Sequence, residues 1–168
     1  MAGEFQSRHL DISMDHTAVW FSYEPPFNIT LGSQTRAKEI RYKLKVKLRR
    51  WRPLEKSDNG KVIAARFDIA DPEKIKCALA DLDRMLDTLA TERLSPQMVE
   101  EILGITALER KRWNKDGRLP KSGMGSFKKG QQQIYFYLHP IAEIAKLAAN
   151  PKIIAEWREA DANDSRRV

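Results

Sequence analysis

Between Ile40 and Leu48 apolar and cationic residues alternate without a break. Ile40, Tyr42, Leu44, Val46 and Leu48 are interleaved with Arg41, Lys43, Lys45, Lys47 and Arg49. Successive side chains of a strand point to opposite faces, so this pattern predicts a strand with one apolar and one cationic face. Pro53 ends the regular run. Ser57-Asp58-Asn59-Gly60 is turn chemistry, because Asn-Gly tolerates positive φ. Val62 to Ile69 is the predicted partner strand, so residues 40–69 read as a long hairpin. Ala18 to Tyr23 and Asn28 to Leu31 are further strand candidates, split by Pro25-Pro26.

Asp71-Pro72-Glu73 predicts a helix start: Asp can cap, Pro suits the first turn and Glu complements the dipole. The helix then carries Ile75, Leu79, Leu82, Leu86 and Leu89 in a heptad-like seam. Two readings of the seam stay open, packing on the hairpin or a dimer contact. About two heptads are too short to hold a coiled coil alone.

A second helical region opens at Ser95-Pro96 and carries Val99, Ile102 and Leu103. Gly104 interrupts it, and a short basic helix is predicted from about Thr106 to Lys115. Gly117-Arg118-Leu119-Pro120 closes that helix. A polar loop with Gly123, Gly125, Lys128, Lys129 and Gly130 follows, then a strand with Ile134, Phe136 and Leu138. Pro140 and Pro151 each open a further helix. Trp113, Trp157, Tyr135 and Tyr137 read as packing residues.

Charge sharpens this picture. The chain of 168 residues has a net charge of +7. Arg36 to Arg52 holds nine Lys or Arg and one acid, and Thr106 to Gly130 holds eight and two. The intervening Asp71 to Ile105 is acidic, with eight acids and four bases. Two basic blocks favour a polyanionic partner. Cys77 is the single cysteine, and His9, His16 and His139 lie far apart, so no metal-ligand spacing is present. No apolar run reaches membrane length. No phosphate loop or catalytic pair is recognisable, so no cofactor and no enzyme activity are expected. The chain reads as cytoplasmic and nucleoid-associated.

The stretch Leu103-Gly104-Ile105-Thr106, then Trp113 and Gly117-Arg118-Leu119-Pro120, then the strand and helix from Ile134 to Leu147, resembles the excisionase-like, MerR-related winged helix-turn-helix family. The resemblance covers residues 94–150. It implies that the second helix enters the major groove and that the wing loop meets the phosphate backbone. Family members usually carry an apolar residue three positions before the tryptophan. Arg110 stands there in this chain, and Leu108 is the candidate to fill the core instead.

An α+β fold is therefore expected: a small N-terminal sheet with a long helix, then a winged helix-turn-helix. Residues 1–15 read as a disordered or expression-derived tail and 16–93 as the α+β domain. Residues 94–160 read as the DNA-binding domain and 161–168 as a disordered tail. Double-stranded DNA is the expected partner, bound by a homodimer acting as a transcriptional regulator or DNA-architecture factor. Lys111, Arg112, Lys115, Arg118 and Lys121 supply phosphate contacts by counterion release. Arg110 and Arg112 can reach guanine, and Glu109 can accept from cytosine. Thr106 can help present backbone N–H groups to a phosphate. Lys128, Lys129, Gln131 and Gln132 sit at the wing tip. An RNA-binding module using Arg41, Lys43, Lys45, Lys47 and Arg49 is an alternative, as is a protein-interaction adaptor. Against the RNA reading, those outward positions lack the aromatics that stack bases.

Overall fold

A computed structural model describes residues 5–165. Two units divide the chain: one runs to Thr30 and resumes over Thr35–Thr91, and the other takes Leu31–Gln34 with the residues from Glu92 onward. Among the described residues there are seven helices and two antiparallel sheets, an α+β composition as expected.

The first unit contains β1 (Asp11–Met14), β2 (Ala18–Tyr23), α1 (Phe27–Thr30), α2 (Gln34–Trp51), β3 (Glu55–Asp58), β4 (Ile63–Asp68) and α3 (Pro72–Thr91). Its strands form one sheet in the order β1-β2-β4-β3. Period-2 alternation puts Val19, Phe21 and Tyr23 of β2 beside Phe67, Ala65 and Ile63 of β4 on the buried face. Phe21 and Phe67 stack with centroids 4.7 Å apart. The expected strand at 18–23, the Asn-Gly turn and the strand after it are all present.

The alternating segment is not a strand. Residues 40–48 lie within α2, an 18-residue helix. Ile40, Leu44 and Leu48 recur every fourth residue and are buried, whereas Tyr42 is 64% exposed and Val46 40% exposed. Strict alternation contains the i, i+4, i+8 set of a helix, and Lys, Arg and Leu are good helix formers, so both periods fit the same letters. Of the first arm of the expected hairpin, only Glu55–Asp58 pairs with Ile63–Asp68.

Arg41, Lys43, Lys45, Lys47 and Arg49 consequently share no common face, because alternate residues of a helix diverge by about 200°. Most are engaged within the unit. Lys43 pairs with Glu39 at 2.8 Å, Lys45 with Asp58 at 2.7 Å and Lys47 with Asp81 at 2.9 Å, and Arg41 donates to the Gly60 carbonyl. The basic sheet face that supported RNA binding does not exist.

Three further expectations are corrected. Residues 28–31 fall mostly in the short helix α1, since Ile29 N–H and Thr30 N–H both return to the Pro26 carbonyl. The seam Ile75, Leu79, Leu82, Leu86 and Leu89 is at most 5% exposed and joins the α2 and sheet residues in one hydrophobic cluster. Its own chain covers it, so it is not a dimer seam. The expected N-terminal tail contains β1, and Phe5 and Leu10 are buried in the same cluster; residues 1–4 lie outside the described residues.

The second unit contains α4 (Pro96–Leu103), α5 (Ala107–Asp116), β5 (Met124–Lys129), β6 (Gln132–Tyr137), α6 (Ile141–Ala149) and α7 (Pro151–Ser165). Ser95 and Pro96 start α4 as expected, though the Ser95 side chain makes no cap hydrogen bond. Gly104 ends α4 at φ 61°, a left-handed conformation that a Cβ would penalise, and Ile105 N–H reaches back to the Glu100 carbonyl. Leu94, Met98, Val99, Ile105, Trp113, Leu119, Ile144 and Ile154 form the core. Trp113 meets Trp157 edge-on at 5.0 Å. Residues 161–165 belong to α7 rather than to a tail, and residues 166–168 lie outside the described residues.

Candidate nucleic-acid interface

The link between α4 and α5 is three residues long and tightly tied. Thr106 Oγ1 accepts from Glu109 N–H at 3.2 Å, and Glu109 Oε2 accepts from Thr106 N–H at 2.7 Å, a reciprocal capping box. Arg158 on α7 clamps the turn, donating to Glu109 Oε1 at 2.6 Å and to the Gly104 carbonyl at 2.9 Å. The Arg158 hydrogen bond, with those from Thr106, holds the Glu109 carboxyl down to about 2. Glu109 and the Thr106 N–H are therefore committed to the turn, not presented outward as expected.

Three arginines are likewise committed. Arg110 Nε donates to Glu100 Oε1 at 2.6 Å and its side chain is half-buried. That ion pair occupies the position where the resembled family carries an apolar residue. Leu108 does not compensate; it is 76% exposed. Asp161 gathers Arg118 Nη2 at 2.6 Å, Arg112 Nη1 at 2.9 Å and Trp113 Nε1 at 3.0 Å. Arg118 also lies over the rings of Trp113 and Trp157 and donates to Asp116. Burial raises the Asp161 carboxyl, but these donors more than reverse it and hold it below its ordinary value. Sequence reasoning missed Asp161 and Arg158, whose partners lie more than 40 residues away and leave no local signal.

What remains outward is smaller and better defined. Lys111 and Lys115 on α5, and Lys128 and Lys129 at the end of β5, are exposed and carry no ion pair or side-chain hydrogen bond among the described residues. Gln131 and Gln132 are exposed beside them. Gly130 turns the hairpin at φ 62°. Met124 pairs with Tyr137, Ser126 with Tyr135 and Phe127 with Ile134 across the hairpin. Tyr135 is 65% exposed, Phe127 51% and Tyr137 41%, so the two tyrosines are not packing residues. Such a hairpin buries too little to be a core element.

A groove of about 760 Å³ lies between α5 and the hairpin. Arg110, Lys111, Asn114 and Lys115 form one wall, and Phe127 with residues 134–137 forms the other. Lys121 spans it, donating to the Asn114 carbonyl at 2.9 Å with its ammonium 4.6 Å from the Tyr137 ring centre. The lining includes no Asp or Glu. His139 is fully buried with Nδ1 2.6 Å from the Pro120 carbonyl, which fixes Nδ1–H as the donor. Burial, helped by the charges of Arg110 and Lys121, pushes its pKa below 6.5.

Among the described residues no three His, Cys, Asp or Glu side chains converge to hold a metal ion, and no helix is long and apolar enough to cross a membrane. No protein-family model, curated protein or solved structure matches the chain.

Proposed function

We propose that the second unit is a winged helix-turn-helix module that binds double-stranded DNA without catalysing a reaction. In this reading α4 and α5 form the helix-turn-helix, α5 lies in the major groove and the β5–β6 hairpin is the wing. The observation that carries it is the placement of the unpaired cations. Lys111 and Lys115 project from α5, Lys128 and Lys129 from the hairpin, and the groove between these two elements has no carboxylate lining it. Unpaired ammonium groups are the ones that can replace condensed counterions on phosphates. Arg112 and Arg118, tied to Asp161, position the helix instead of reading DNA. The resemblance of residues 94–150 to excisionase-like proteins points the same way. Transcriptional regulation or DNA architecture at the nucleoid, by a homodimer, are the roles such a module would serve. A dimer would use a surface other than the buried α3 seam.

Incubation with a random duplex library at near-physiological salt, followed by sequencing of the bound fraction, tests the reading. An enriched motif is expected. Lys111→Glu with Lys115→Glu should abolish binding while thermal unfolding stays unchanged. Duplex binding that survives this double reversal would remove α5 as the reader.

A further inference from the structure

The α5–hairpin groove has features that phosphate contact alone does not use. Backbone phosphates need cations, yet this groove is also lined by the exposed Tyr135 and Tyr137. Tyr135 and Tyr137 are two residues apart on one face of β6, roughly 6.6–6.8 Å along the strand, a gap that admits one planar ring. Asn114 lines the groove at 3% exposure, and its Oδ1 has no hydrogen-bond partner. A buried acceptor in that state costs free energy until a donor reaches it. The groove volume of 760 Å³ falls in the range of small-ligand sites, about 300–1,000 Å³.

We propose that this groove is a binding site for a free mononucleotide. Its heterocycle packs against Tyr135 and Tyr137, and an N–H of the base meets Asn114 Oδ1 after a small shift of that side chain. The phosphate is held by Lys111 and Lys115, the two unpaired cations of α5. An acidic peptide would satisfy the lysines but leave the aromatic faces and the Asn114 acceptor without matching chemistry. Because the nucleotide uses the same two lysines as duplex DNA, its occupancy competes with DNA. Only this competition rests on the duplex-binding reading; the site itself does not.

The test is calorimetric titration of the full chain with adenosine 5′-monophosphate at fixed ionic strength. Adenosine, inorganic phosphate and an eight-nucleotide single strand serve as separate probes. Saturable binding of the mononucleotide is expected, with adenosine and phosphate each weaker by about tenfold or more, since each keeps one half of the contacts. Tyr135→Ala and Tyr137→Ala should each cost about tenfold, as loss of a base-stacking ring does. Both residues are exposed, so the fold is expected to survive, and far-UV circular dichroism checks that it does. Saturating mononucleotide should weaken duplex binding.

No mononucleotide binding up to about 5 mM, with duplex binding intact, would overturn the site and leave the DNA reading standing. Binding of unchanged affinity in both tyrosine variants would overturn its location. Binding of the single strand without the mononucleotide would make the occupant a nucleic-acid strand and overturn the proposal. Mononucleotide binding by a chain that ignores duplex DNA would support the site and sink the DNA reading. Binding of both with no competition would overturn the shared use of Lys111 and Lys115.

Discussion

Arg110 Nε donates to Glu100 Oε1 at 2.6 Å, joining α5 to α4 across the Gly104 turn. The Arg110 side chain is 13% exposed and that of Glu100 27%, so neither charge is well hydrated and each depends on the other. Arg110→Ala should destabilise the chain by about 1–2 kcal/mol, because it strands a partly buried carboxylate. Arg110→Leu combined with Glu100→Leu should recover most of that loss, since an apolar pair of similar volume removes both desolvation penalties. Urea unfolding of Arg110→Leu, Glu100→Leu and the double variant completes the cycle. Additive losses would mean that the pair contributes nothing of its own.

The capping box makes the second unit acid-sensitive in a defined window. Glu109 titrates near 2 in the folded chain against 4.5 for an ordinary glutamate. A depressed folded pKa contributes stability that is fully present above 4.5 and lost as pH falls from there through about 2. With its partial exposure and solvent screening, the contribution is about 1–2 kcal/mol. Glu109→Gln should lose that amount at pH 7, and the gap to the parent chain should narrow steadily below pH 4.5 and close only below about pH 2. Thermal unfolding at several pH values reads the difference directly. A constant offset between the two curves down to pH 2.5 would show that the carboxylate charge plays no part.

Helix α2 shows where sequence reading stopped and why. Capping and turn residues carried the elements that were legible: Asn59-Gly60 for the β3–β4 turn, Asp71-Pro72 for α3, Thr106 for α5, Pro140 and Pro151 for α6 and α7. Residues 40–48 offered no such punctuation, and their alternation satisfies a strand and a four-residue helical repeat equally. The two differ in what Tyr42 and Val46 do. A strand buries them with Leu44; α2 leaves them 64% and 40% exposed. Leu44→Ala should therefore cost about 2–5 kcal/mol, while Tyr42→Ala and Val46→Ala stay within about 0.5 kcal/mol of the parent. Equal losses at all three positions would restore the strand.

The interface was legible only as a supply of positive charge. Its eight Lys and Arg between Thr106 and Gly130 are visible in the chain, but their division into tied and unpaired groups is not. Arg112 and Arg118 meet Asp161, 49 and 43 residues away, and Glu109 meets Arg158, 49 residues away. Spacing rules for helices reach only three or four residues. Nor does period separate Tyr135 and Tyr137 from packing residues, because a strand that stands clear of the core exposes both faces.

That division predicts how duplex binding responds to salt. Each phosphate neutralised contributes about 0.9 to the slope of log K against log salt concentration. Lys128 and Lys129 are unpaired at the hairpin end, so Lys128→Gln with Lys129→Gln should lower the slope by up to about two and weaken binding similarly for every sequence. Arg112→Gln should behave differently. Its guanidinium is held by Asp161 at 2.9 Å, so the slope should barely change while the melting temperature falls. Anisotropy titrations with one duplex across about 50 to 200 mM salt give both slopes. If Arg112→Gln flattens the slope as much as the lysine pair does, Arg112 leaves Asp161 on binding and joins the phosphate-contacting set. An unchanged slope in the lysine pair would take the hairpin off the DNA.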